Sequence, residues 1–169
     1  MIGLWKSTGE CLDIFPNLIN SIFSKILLVK LKQKQVLVIV SEKSLKIYDF
    51  INKEIISQFQ TSNFFDEMLQ NLKNEDEIVG INNGTIHFLS LSEEKTVRTI
   101  STATKSRCII QLKSGQFILR NNDGTNLKTG EIFIIDEEDK VKMINTSGHI
   151  FSLCALDQAE FAIGKNQSI

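Results

Sequence analysis

Apolar residues in this chain come in short runs, and polar turn residues interrupt them every five to eight positions. Ile26–Leu31 and Val36–Val40 are separated by Lys32-Gln33-Lys34-Gln35, and Ser41-Glu42-Lys43-Ser44 leads on to Leu45–Asp49. Runs this short, rich in Val, Ile and Phe and bounded by turn residues, predict β-strands joined by hairpins. Asn82-Asn83-Gly84-Thr85 is the strongest such turn, because Asn and Gly both tolerate the positive φ that a tight hairpin needs. Only residues 63–73 offer a helical alternative, with Phe64, Phe65, Met68 and Leu72 on one face. Recurrence of the pattern elsewhere places a strand over the second half of that segment.

The order strand, polar turn, strand recurs in four copies, spanning residues 1–44, 45–85, 86–130 and 131–169. Trp5, Tyr48, Leu89 and Ile135 hold one phase of the repeat, at intervals of 43, 41 and 46 residues. A period of about 40–45 residues with four short strands per unit is the signature of a β-propeller. The expected fold is therefore all-β and propeller-like, a single domain over 1–169 in which each repeat supplies a four-stranded antiparallel blade. Ile2 corresponds in phase to Leu45, so the copies are cut just before a third strand. Met1–Phe15 would complete the last blade if four blades closed into a ring. Four is the low end of the usual blade number, and an open arc or a piece of a longer propeller is the favoured expectation.

Gly148-His149 before an apolar strand, and the pairs Trp5-Lys6, Tyr48-Asp49 and Ile135-Asp136 at the end of the third strands, resemble the WD-repeat β-propeller family. The resemblance covers nearly the whole chain through degenerate motifs. It implies structural roles for Trp5, Tyr48, Asp49, Asp136, Gly148 and His149. In that family the His bonds an Asp in the turn before the third strand, whereas Lys165-Asn166-Gln167 stand in the matching region here. The blades are thus expected to rest mainly on apolar packing between sheets.

Composition changes this picture little. The chain has 169 residues, 42% of them hydrophobic and 23% charged, with a net charge of −1. That is ordinary for a globular protein, and it lacks the basic excess by which nucleic-acid binders displace counterions. No nucleic-acid or membrane partner is expected, since no apolar run approaches a bilayer span. Cys11, Cys108 and Cys154 are odd in number and scattered, which points to reduced thiols and a cytoplasmic location.

Catalytic signals are weak. His87 and His149 have no Cys or His at ligand spacing, so neither metal nor cofactor is expected. There is no nucleophile elbow, Asn121-Asn122-Asp123-Gly124 lacks the downstream ligands of a calcium loop, and Glu137-Glu138-Asp139 reads as a solvated hairpin tip. The expectation is a non-catalytic scaffold that binds a protein or peptide through its rim turns. Lys105, Arg107, Arg120, Lys128 and Lys165 lie in or beside the turns preceding first and third strands, and their charge suggests an acidic partner. The alternative is an assembly segment that self-associates or pairs with another propeller fragment through exposed sheet edges.

Overall fold

Alternation of apolar and polar residues is satisfied by sixteen β-strands among the described residues of the structure, a computed structural model. It describes residues 2–5, 7–9, 11–15, 24–41, 43–61, 64–102, 105–121 and 129–165, with the backbone alone at 2–5, 12–15, 24 and 129. The expected loops at 16–23, 122–128 and 166–168 lie outside them. In chain order the strands are β1 (Ile2–Trp5), β2 (Cys11–Phe15), β3 (Ser24–Leu31), β4 (Lys34–Ser41), β5 (Ser44–Asp49) and β6 (Glu54–Gln60). There follow β7 (Glu67–Gln70), β8 (Glu77–Asn82), β9 (Thr85–Ser90), β10 (Lys95–Ser101), β11 (Ser106–Gln111) and β12 (Phe117–Asn121). The last four are β13 (Thr129–Ile135), β14 (Val141–Ser147), β15 (Ile150–Asp157) and β16 (Glu160–Lys165). Residues 67–70 are strand, so the helical alternative over 63–73 is not taken.

Three sheets are four-stranded antiparallel meanders: a first of β3–β6, a second of β7–β10 and a third of β11–β14. The pairs β1–β2 and β15–β16 are two-stranded sheets. These are open, blade-like sheets, and none closes into a barrel. Each four-stranded sheet takes its first two strands from one sequence repeat and its last two from the next, as the phase of the copies requires.

Two compact units, Met1–Phe64 and Phe65–Ile169, divide the chain. In the first, cross-strand pairs such as Val38↔Ile47 and Val40↔Leu45 are buried on one face of the sheet, while Ile39 and Tyr48 cluster with Leu37 and Phe50 on the other. In the second unit the sheets stack. Val79, Ile81, Ile86, Phe88 and Ile100 of the second sheet meet Ile109, Phe117, Leu119, Phe133 and Ile135 of the third. Phe88 and Phe117 lie edge to face, with centroids 5.5 Å apart. The other face of the third sheet, with Leu112, Ile118 and Ile132, is covered by Ile150, Leu153, Phe161 and Ile163 of β15–β16. Each such side chain fully removed from water stabilises the fold by about 1.5–3 kcal/mol.

The repeat phase has a structural meaning. Tyr48, Leu89 and Ile135 are all buried, and each precedes a residue whose side chain accepts backbone N–H groups of the next turn. Asp49 Oδ1 accepts from Ile51 (2.9 Å) and Asn52 (3.0 Å), Ser90 Oγ from Glu93 (3.1 Å), and Asp136 Oδ1 from Glu138 and Lys140 (both 2.9 Å). Every one of these turns then passes through a positive φ, at Lys53, Glu94 and Asp139. The acid at the end of the third strand is thus a turn cap. The backbone N–H of Asn52, chiefly, holds the Asp49 carboxyl below its ordinary pKa, with Lys34 Nζ adding an ion pair at 3.7 Å.

Candidate functional site: a cleft between two sheets

Antiparallel hairpins alternate ends, so the β7–β8, β11–β12 and β13–β14 turns share one end of the second unit. Between them the apolar core of the second and third sheets opens into a cleft of about 230 Å³. Phe117 and the buried amides of Asn71 and Gln111 line its depth, and Lys73, Arg98, Gly115, Asp136, Glu137 and Asp139 form its walls.

The amides are locked by local geometry. Asn71 Nδ2 donates to Glu77 Oε2 (2.8 Å), and its Oδ1 accepts from the backbone of Lys73 (3.0 Å) and from Gln111 Nε2 (2.9 Å). Gln111 Oε1 accepts from the backbone N–H of Leu72 at 2.7 Å. These bonds tie the start of one turn to the neighbouring sheet across a separation of about forty residues, and they satisfy polar groups that would be costly to leave unpaired.

Charge on the walls is paired. Arg98 Nη1 reaches both carboxylate oxygens of Asp139 at 2.8 and 3.0 Å, while its guanidinium lies 3.8 Å from the centroid of the Phe88 ring. Lys73 Nζ stands 3.6 Å from Glu137 Oε1. Gly115 makes room for that second pair: its φ is +102°, and a Cβ there would meet Glu137 Oε1 at 2.5 Å and Lys73 Cε at 2.9 Å. The expected solvated tip at 137–139 therefore has two of its three acids in inter-sheet ion pairs. A wider hollow adjoins it, lined by Ser114, Gln116, Asp136, Glu137, Glu138 and Lys140. Asp136 and Glu137 are the wall common to both.

The residues singled out from the sequence are dispersed. Asp136 lines the cleft; Trp5 ends β1; Tyr48 and Asp49 are buried in the first unit. Gly148 turns at φ +83°, and His149 sets its ring edge-on to Phe151 with centroids 4.9 Å apart. Of the expected binding cations, Lys105 is exposed, Arg107 Nε lies 4.0 Å from Asp66 Oδ1, Lys165 Nζ donates to Ser147 Oγ at 3.2 Å, and Lys128 is outside the described residues. Arg120 is half-buried, and its Nη1 donates to the carbonyls of Ile150, at 2.8 Å, and Phe151. It braces β15 against the third sheet. Lys105, Arg107, Arg120 and Lys165 belong to the opposite end of the strands from the cleft.

Asn71, Lys73, Arg98, Gln111 and Gly115 were not marked by any motif. The one local signal was the turn Lys113-Ser114-Gly115-Gln116, in which Gly115 needs its positive φ. Elsewhere, burial lowers the pKa of His87, which lies edge-on to Phe65, and burial is the main cause raising that of the Cys108 thiol. Among the described residues no group of three or more His, Cys, Asp or Glu is placed to hold a metal ion. No helix among them is long and apolar enough to cross a membrane.

These sheets define a blade-forming all-β protein. Among solved structures, the chain is similar to hydrazine synthase of Kuenenia stuttgartiensis, whose fold is propeller-like, with a TM-score of 0.55 at 13% identity. The match covers 70% of this chain and 36% of that one, so the chain spans about a third of the structure it resembles. At that identity the likeness is one of fold. No protein-family model and no curated protein matches the sequence.

Proposed function

We propose that this chain is a non-catalytic interaction module of the WD-repeat propeller kind, acting in the cytoplasm, that holds a protein or peptide partner. The observation that supports this reading is the cleft between the second and third sheets. Four of its charges are already paired, as Arg98–Asp139 and Lys73–Glu137, and its amides are bonded to each other, to Glu77 and to the backbone of Leu72 and Lys73. Such a surface suits recognition of a side chain by shape, by the Phe117 ring and by exchangeable surface ion pairs, which hold each other only weakly in water. The adjoining hollow extends it enough to seat neighbouring residues of an extended partner. Lys105, Arg107 and Lys165, at the opposite end, are the alternative contact surface and would favour an acidic segment.

The test is selection of peptides from a random displayed library on the immobilised full chain, followed by binding measurements on variants. The double variant Lys73→Glu/Glu137→Lys reverses the wall charges yet keeps their attraction, so it should fold normally and lose the selected peptides. Lys105→Glu/Arg107→Glu should leave binding intact. Loss in the second variant alone would move the site to the opposite end. Failure to enrich any peptide would overturn the proposal.

A further inference from the structure

On the reading that the cleft between the second and third sheets seats a partner, we propose that the side chain it receives is an arginine. It is carried on an extended segment of another protein and held by the carboxylates of Asp136 and Glu137.

The charge on the cleft is unbalanced by one acid. Lys73 and Arg98 face three carboxylates, those of Asp136, Glu137 and Asp139. Arg98 is bonded to Asp139, and Lys73 is paired with Glu137. The adjoining hollow adds Glu138 and Lys140, which pair with each other. Asp136, in the wall shared by cleft and hollow, has no ion pair among the described residues. Its Oδ1 accepts the backbone N–H groups of Glu138 and Lys140, both at 2.9 Å, which leaves Oδ2 for an incoming donor. Beside it, Glu137 meets Lys73 only through Oε1, at 3.6 Å, with both side chains more than half exposed. One wall thus carries two carboxylates with acceptor capacity to spare.

The same turn already holds a guanidinium. Arg98 Nη1 bonds both oxygens of Asp139, and its guanidinium lies 3.8 Å from the centroid of the Phe88 ring. Phe88 stands edge to face with Phe117, and Phe117 lines the depth of the cleft. A second guanidinium at Asp136 and Glu137, with its methylene stem against Phe117, would repeat the combination of carboxylate and phenyl ring.

Other side chains fit less well. A carboxylate would add to the surplus of acid. An apolar side chain would strip water from the Asp136 and Glu137 oxygens without giving them a donor, which is costly. Lysine would supply the charge as a point. Arginine's planar fork can donate to two neighbouring carboxylates at once.

The probes are heptapeptide pools, blocked at both ends. Their central residue is Arg, Lys, citrulline, Leu or Glu, and their other positions mix Gly, Ala, Ser and Thr. Each pool is titrated into the isotopically labelled full chain by nuclear magnetic resonance. Binding is read from the side-chain amides of Asn71 and Gln111 and the backbone amide of Gly115, which report on the cleft. The Arg pool should move these signals at concentrations at least about fivefold lower than the citrulline, Leu and Glu pools need, with Lys in between. Asp136→Asn keeps the carbonyl oxygen that caps the turn, so the fold should stand. It should weaken the Arg pool about fivefold and leave the Leu pool unchanged. Equal responses to all pools, or the strongest response to Lys, Leu or Glu, would overturn the assignment to arginine while leaving the cleft a binding site. So would an Arg pool that binds Asp136→Asn as well as wild type. No response to any pool would overturn the cleft as a binding site too.

Discussion

Gly80→Ala is the most discriminating perturbation of the core. Gly80 sits in β8 opposite His87 of β9, and the Phe65 ring lies directly over it, edge-on to the His87 imidazole at 5.5 Å. A Cβ at residue 80 would come within 2.5, 2.8 and 2.9 Å of three Phe65 ring carbons. Carbon pairs prefer about 3.5–4.0 Å, so the ring must retreat by most of an ångström, and Phe65 is only 2% exposed. Overpacking of this kind costs about 1–3 kcal/mol. Against it stands the conformational gain of replacing glycine inside a strand, about 0.5–1 kcal/mol. The clash wins, and the net loss should be about 0.5–2 kcal/mol. Urea melts of wild type, Gly80→Ala, Phe65→Ala and the double variant form a cycle that isolates the contact. Phe65→Ala alone should cost about 3–5 kcal/mol, and in its background Gly80→Ala should become neutral or stabilising. Additive losses in the cycle would refute the reasoning, because two residues that do not touch add.

Further consequences can be checked on the same footing. Tyr48→Ala should cost about 3–5 kcal/mol, whereas Lys43→Ala, on an exposed turn, should stay within about 0.5 kcal/mol; equal urea midpoints would contradict the alignment of repeats. Arg120→Ala should lower stability by about 1.5–3 kcal/mol, the worth of hydrogen bonds from a charged donor, and an unchanged midpoint would mean that the brace on β15 carries no load. Burial depresses the His87 pKa, so the unfolded chain takes up the proton more readily; stability should fall as pH drops below about 6.5, and His87→Gln should flatten that slope in pH-dependent melts. Asp49, held below its ordinary pKa, stabilises the fold above about pH 4 and should lose that contribution as acid is added; Asp49→Asn should show less acid loss than wild type.

Much of the fold was legible in the sequence because it is made of local events. A hairpin at Asn83-Gly84 needs only two residues that accept φ of 47° and 79°. The caps at Asp49 and Asp136 reach two to four residues along the chain, so their spacing recurs wherever the turn recurs. The period of the repeat follows from these turns and from alternation along each strand. Only the tertiary structure decided what crosses between strands far apart in sequence. Arg120 looks like a rim cation until β15 brings the Ile150 and Phe151 carbonyls to it. Asn71 and Gln111 are ordinary turn-flanking polar residues until two sheets set their amides 2.9 Å apart. The cleft exists because Gly115, Lys73 and Glu137 converge from three separate turns. Local propensity acts through the backbone of a few neighbouring residues; those sites depend on how two sheets stack, and that is fixed by the summed packing of the whole apolar face.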